Sequence, residues 1–124
     1  MRPAFSPGTT AERIATLGGE PRGTPDYVSS HRSWDDYALG RAPTTEHLAA
    51  LNVVYDGVIA SHRHAQETLS EQDAVSKDLI IEQLRQLELF QWFVRAHLET
   101  SSGELISAGA KTEKEAAEQA AALE

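Results

Sequence analysis

The 124-residue sequence predicts an all-α fold, a helical bundle that is incomplete as written. Two long apolar segments and the turn between them predict it. In the first segment Leu48, Leu51, Tyr55, Val58, His62, Ala65 and Leu69 recur in alternating steps of three and four, which is a helical seam facing one partner. In the second, Val75, Leu79, Ile80, Ile81, Leu84, Leu87, Leu89, Phe90, Trp92, Phe93, Val94 and Leu98 wrap most of a helical circumference. Ser70–Asp73 supplies the turn that folds them into an antiparallel hairpin. A helix apolar on so many sides is buried by several neighbours. One hairpin cannot provide them, so the fold requires further helices, from other subunits or from a missing segment.

The elements follow in order. Pro3, Pro7 and Gly8 break any helix through residues 1–8. Thr9 then caps a short helix, with Glu12 as the second half of a capping box. That helix passes Ile14 and Leu17 and stops at Gly18-Gly19, with Pro21 beyond. Residues 20–43 read as loop, with a helical turn at His31–Tyr37 and with Tyr27, Val28, Trp34, Tyr37 and Leu39 as anchors to a neighbouring core. Pro43, Thr44 and Thr45 open the seam helix, whose Gly57 costs about 1 kcal/mol relative to alanine and permits close approach of another helix. The last long helix spans about Asp73 to Thr100, with Trp92 and Phe93 in its core face. Residues 1–103 form the domain. Residues 104–124 form a flexible or weakly helical acidic tail, because 111–124 has high helix propensity but one large apolar residue, Leu123.

Composition narrows the chemistry. The chain has no cysteine, which excludes disulfides, thiolate catalysis and cysteine-ligated zinc. The net charge of −8 arises wholly from residues 42–124 and disfavours binding to phosphate backbones by bulk charge. No apolar run suits a membrane span or a secretion signal, so the expected location is cytoplasmic, with association with the nucleoid also open. His47, His62, His64 and His97 do not fall at metal-binding spacing, and no Glu-x-x-His motif is present. They read as surface or interface histidines, with His62 hydrogen-bonded on the seam. Asp78 and Glu82 share a helix face as solvated carboxylates, and Glu82 can pair with Arg85. No phosphate loop and no nucleophile–base arrangement is visible.

Two blocks resemble the Dps family of mini-ferritins. Ala-Glu-Arg-Ile-Ala-Thr-Leu-Gly-Gly-Glu-Pro, residues 11–21, is similar to the end of that family's second helix. Gln-Leu-Glu-Leu-Phe-Gln-Trp-Phe-Val-Arg-Ala-His-Leu, residues 86–98, is similar to the last helix of its bundle. The resemblance implies a ferritin-like helical bundle and a self-assembled twelve-subunit shell that oxidises ferrous iron and stores it. Association with a full-length paralogue is a second expected form of assembly, and a role in DNA protection is implied as well. In that family two His of one chain meet an Asp and a Glu of its neighbour. Glu12 matches the Glu and is the candidate metal ligand. The Asp position falls on Gly8, and no helix precedes it to carry the two His. The expected chain therefore lacks the first helix and most of the second, through a wrong start, a frameshift or a fragment, and its ferroxidase site is incomplete. Lys111 and Lys114 are outnumbered in the tail by Glu113, Glu115, Glu118 and Glu124, which disfavours tail-driven DNA binding. A non-catalytic helical oligomerisation or interaction module is the alternative.

Overall fold

A computed structural model describes residues 7–99 and 105–123. The described elements are five helices: α1 (Pro7–Thr16), α2 (Pro25–His31), α3 (Thr44–Leu69), α4 (Ala74–Ala96) and α5 (Glu113–Ala121). The all-α bundle expected from the sequence is what forms, with the long α3–α4 hairpin as its frame.

The hairpin follows from local chemistry. Helix α3 ends at Leu69, the amides of Gln72 and Asp73 bond the Leu69 carbonyl, and the Asp73 side chain accepts from the Val75 amide as the N-cap of α4. Gln91 of α4 is buried and its Nε2 donates to Asn52 Oδ1 at 3.2 Å and Asp56 Oδ1 at 2.6 Å on α3. A buried amide that finds its partners at only one alignment fixes how far one helix slides along the other.

Helix α3 is the spine, packing α4 against one side and α5 against another. Ala49, Val53, Val94, Leu98, Ala116 and Ala120 form the buried cluster, with Leu48, Leu51, Tyr55, Leu105, Ile106 and Ala110 against it. The most deeply buried α3 residues are thus Ala49, Ala50, Asn52 and Val53, beside the predicted seam rather than on it. Small alanines let α5 approach the α3 backbone closely.

Four expectations need correction. Helix α1 begins at Pro7, not after Thr9. Proline at the first helical position has its φ already set and loses no required amide bond, so Thr9 and Glu12 lie inside the helix and form no capping box. The short helix of the connection is Pro25–His31, not a turn at 31–37, because Thr24 accepts from the Tyr27 amide as N-cap and Pro25 opens the helix. Helix α4 stops at Ala96, after which fully buried Leu98 accepts the Ile106 amide at 2.8 Å and Glu99 bridges Leu105. Thr100, in the predicted helix end, lies outside the described residues. Where a flexible or weakly helical tail is expected, α5 forms behind an N-cap at Thr112 and packs, burying Glu113, Ala116, Ala117 and Ala120.

Two further findings concern packing. The close approach at Gly57 is made by Trp34 of the α2–α3 connection, not by a helix: a Cβ on Gly57 would collide with Trp34 Cβ and stand 3.2 Å from its Cγ. The aromatic end of α4, expected in the core, is open in this chain. Trp92 is 56% exposed and Phe93 52% exposed, with Leu89 and Phe90 beside them.

Two substitutions check this packing by denaturant unfolding. Leu98→Ala should cost about 2–5 kcal/mol, the usual result of truncating a fully buried leucine. Gly57→Ala should destabilise and shift Trp34 fluorescence, although alanine favours a helix by about 1 kcal/mol; a more stable variant would show that Trp34 does not press on this helix.

Candidate functional site

Helix α1 carries the candidate ligand, and its sequence decides which way each side chain points. Thr10 and Arg13, one turn apart, face α4. Thr10 Oγ1 accepts from buried Gln83 Nε2 at 2.7 Å. Arg13 Nε donates to Ser76 Oγ at 3.0 Å, and its Nη2 donates to Asp73 Oδ2 at 2.8 Å. Ser76 also donates to that Asp73 oxygen. A short helix with few apolar contacts is thereby fastened by three polar bonds to the first half of α4.

Glu12 is left facing solvent. Successive residues of a helix differ by about 100° in direction, so docking through Thr10 and Arg13 turns Glu12 away from α4. Gly8, one turn earlier on the same face, is exposed and offers no ligand atom. Among the described residues no three His, Asp or Glu side chains come together closely enough to hold a metal ion. The candidate metal ligand is therefore a single outward carboxylate.

Four of the five histidines are engaged locally. His62 Nδ1 bonds the Val58 carbonyl at 2.9 Å and His97 Nδ1 the Phe93 carbonyl at 2.7 Å. His31 bonds the Tyr27 carbonyl at 2.8 Å and stacks on its ring at 4.0 Å. His47 Nδ1 bonds the Tyr37 hydroxyl at 2.7 Å, and His64 is exposed. His62 is hydrogen-bonded on its helix, as the sequence led one to expect. Asp78 and Glu82 are exposed, as expected. Arg63 reaches across from α3 to pair with Glu88.

Asp73 is the residue whose importance sequence reasoning missed. The hydrogen bond from Ser76, then that from Arg13, hold its carboxyl at about 2, well below the usual 3.8, with the Arg13 charge and the Val75 amide adding to them against some desolvation. Its place after the turn identifies an N-cap. Its ion-pair partner lies 60 residues away in sequence, and no local pattern encodes that contact.

Comparison with known proteins identifies the fold and the family. The ferritin-like domain family matches residues 8–103. The DNA protection during starvation protein of Mycolicibacterium smegmatis is 53% identical over 110 residues, covering 89% of this chain and 60% of that protein. The solved structure of Mycobacterium smegmatis Dps superposes with a TM-score of 0.77 at 52% identity, over 82% of this chain and 58% of that one. DpsA14 from Streptomyces coelicolor gives 0.72 at 55% identity, over 77% of this chain and 56% of its own. The chain thus spans about three-fifths of the length of these relatives.

The depressed Asp73 carboxyl sets a pH dependence. Its contribution to stability is complete above the ordinary value of 3.8 and is lost as pH falls toward about 2. Carboxyl titration by NMR should place Asp73 near 2, and Arg13→Gln should move it up toward 3.8. An unchanged titration in Arg13→Gln would remove the arginine from this account.

Proposed function

This chain belongs to the ferritin-like family, and we propose that it is a Dps-type mini-ferritin polypeptide, of a lineage that oxidises and stores iron and so protects DNA from peroxide chemistry, with an incomplete ferroxidase centre in this chain. The observation that carries the reading is the docking of α1. The block Ala11–Pro21 resembles the Dps pattern, and its Glu12 stands free on the outer face of the helix, while Arg13 beside it is spent on fastening that helix to α4. A carboxylate so placed is available to a metal ion shared with another polypeptide. Non-haem iron accepts carboxylate oxygen and imidazole nitrogen together, and Glu12 offers one such group. With glycine one turn earlier, the remaining ligands of a working ferroxidase centre have to come from elsewhere.

The chain's own residues then have limited parts. Glu12 binds ferrous iron weakly by one carboxyl group. Arg13, Asp73 and Ser76 hold the helix that aims it. Protection of DNA proceeds through the iron chemistry rather than through charge attraction, because the chain carries a net −8. No described helix is long and apolar enough to cross a membrane; the compartment that suits the reading is the cytoplasm, near the nucleoid.

A second reading, a helical interaction module without catalysis, is favoured by the open aromatic end of α4. Leu89, Phe90, Trp92 and Phe93 form an apolar surface of the kind that pairs with another helix. The partner is a further copy of this chain or a full-length paralogue.

Aerobic ferrous oxidation and particle size separate the two. The purified chain should oxidise iron at close to the rate of buffer alone, and Glu12→Gln should leave that rate unchanged while weakening ferrous binding. Rapid, saturable oxidation would contradict an incomplete centre. A twelve-subunit particle supports the mini-ferritin reading, and a dimer of the 13.5 kDa chain supports the interaction module.

A further inference from the structure

Easily oxidised side chains are few in this chain. It has no cysteine and a single methionine, so one-electron oxidation falls chiefly on its three tyrosines and two tryptophans. One tyrosine is set apart by its partner. Tyr37, in the connection before α3, reaches His47 in the first turn of α3, and the two rings lie 6.0 Å apart at 18° to one another. The phenol oxygen stands 2.7 Å from His47 Nδ1 and 3.3 Å from the His47 carbonyl oxygen. The ring nitrogen is the nearer acceptor and the only one of the two that can take a proton in water. The phenol therefore donates to Nδ1, and the imidazole keeps its own proton on Nε2. Tyr27 lacks such an arrangement, because its histidine, His31, bonds the Tyr27 backbone carbonyl rather than the hydroxyl. Tyr55 packs against the buried cluster.

A phenol gives up an electron readily only when its proton leaves with it. A base already bonded to that proton makes the transfer one short step. The local charge favours this route over prior ionisation. Burial first, and the Glu113 charge second, push the Tyr37 phenol above its ordinary value, so it holds its proton until an electron is taken. Exposed Asp35 stands two residues before it, and the neighbouring Asp36 is paired with Arg32 at 3.0 Å. Tyr37 is 41% exposed, so a dissolved oxidant reaches the ring by collision. The chain's net charge of −8 draws a cationic oxidant in preference to an anionic one. We propose that Tyr37 and His47 form a redox site, in which Tyr37 donates one electron to a cationic, high-potential metal complex in solution while its hydroxyl proton passes to His47 Nδ1. The metal falls by one oxidation state, the phenol O–H bond breaks and an N–H bond forms. The products on the chain are a neutral phenoxyl radical and an imidazolium. This site is separate from α1 and does not depend on iron binding by Glu12.

Flash photolysis of the purified chain with tris(bipyridine)ruthenium and a cobalt(III) quencher tests the site at about pH 8, where an ordinary imidazole is neutral. Phenoxyl radical, read by its absorption and its electron paramagnetic resonance signal, is expected to form, and to form more slowly in deuterium oxide. Tyr37→Phe should abolish the fast phenoxyl signal although Tyr27 and Tyr55 remain, and Tyr27→Phe should leave it unchanged. His47→Gln keeps a hydrogen-bond acceptor but removes the base, and should slow phenoxyl formation about a hundredfold, the size of effect expected of a positioned general base. The isotope effect is read on the native chain, so the proposal stays exposed to failure even if a variant folds poorly. Absence of a phenoxyl signal, a fast signal that survives in Tyr37→Phe, a rate unaltered by His47→Gln, or equal rates in light and heavy water would each overturn it.

Discussion

The bond set around Asp73 is the constraint on which the arrangement of the site depends. One carboxyl group serves two elements. It caps α4 through the Val75 amide, and it receives Arg13 from α1 at 2.8 Å. Ser76 completes the knot by bonding both partners. The pair is a quarter exposed on each side, a setting in which a lone ion pair contributes little. Its weight here comes from sharing: the same carboxyl that starts a helix also orients another. With Arg13 and Thr10 committed to α4, Glu12 has no direction left but outward. Whatever Glu12 does, it does because its neighbour is held.

Away from that knot, α3 organises the molecule. It meets α4 through a buried amide ladder and α5 through alanines, and these contacts account for the deeply buried residues. The resulting asymmetry has a functional side. One flank of α4 is sealed by α3, while its aromatic end stays open to solvent. Apolar area of that kind gains free energy when covered. The exposed carboxylate on α1 and the exposed aromatics on α4 are the two features on which the proposed metal role and the proposed association rest.

Much of this was legible in the sequence, and the failures have definite causes. The α3–α4 hairpin was visible because its leucines and isoleucines recur at helical spacing and Asp73 follows a turn. The packing of α5 was not, because it uses Ala116, Ala117 and Ala120, and alanine carries almost no hydropathic signal although it allows the closest helix contact. The Thr24-Pro25 start of α2 is a cap signal that the expected turn at His31–Tyr37 does not use. Glu12 was read both as a capping group and as a metal ligand. The start of α1 at Pro7 removes the first role, and its outward direction leaves it free for the second. The Arg13–Asp73 contact could not be seen, since a pair 60 residues apart has no periodicity to reveal it.

Amide hydrogen exchange on an Asp73→Ser variant tests the central claim most directly. Serine caps a helix about as well as aspartate does but cannot form the ion pair with Arg13. The account predicts that the α1 amides lose protection while those at the start of α4 and through α3 and α5 keep theirs. Unchanged protection across α1 would contradict it, because the helix bearing Glu12 would then be held by something other than the bond set at Asp73.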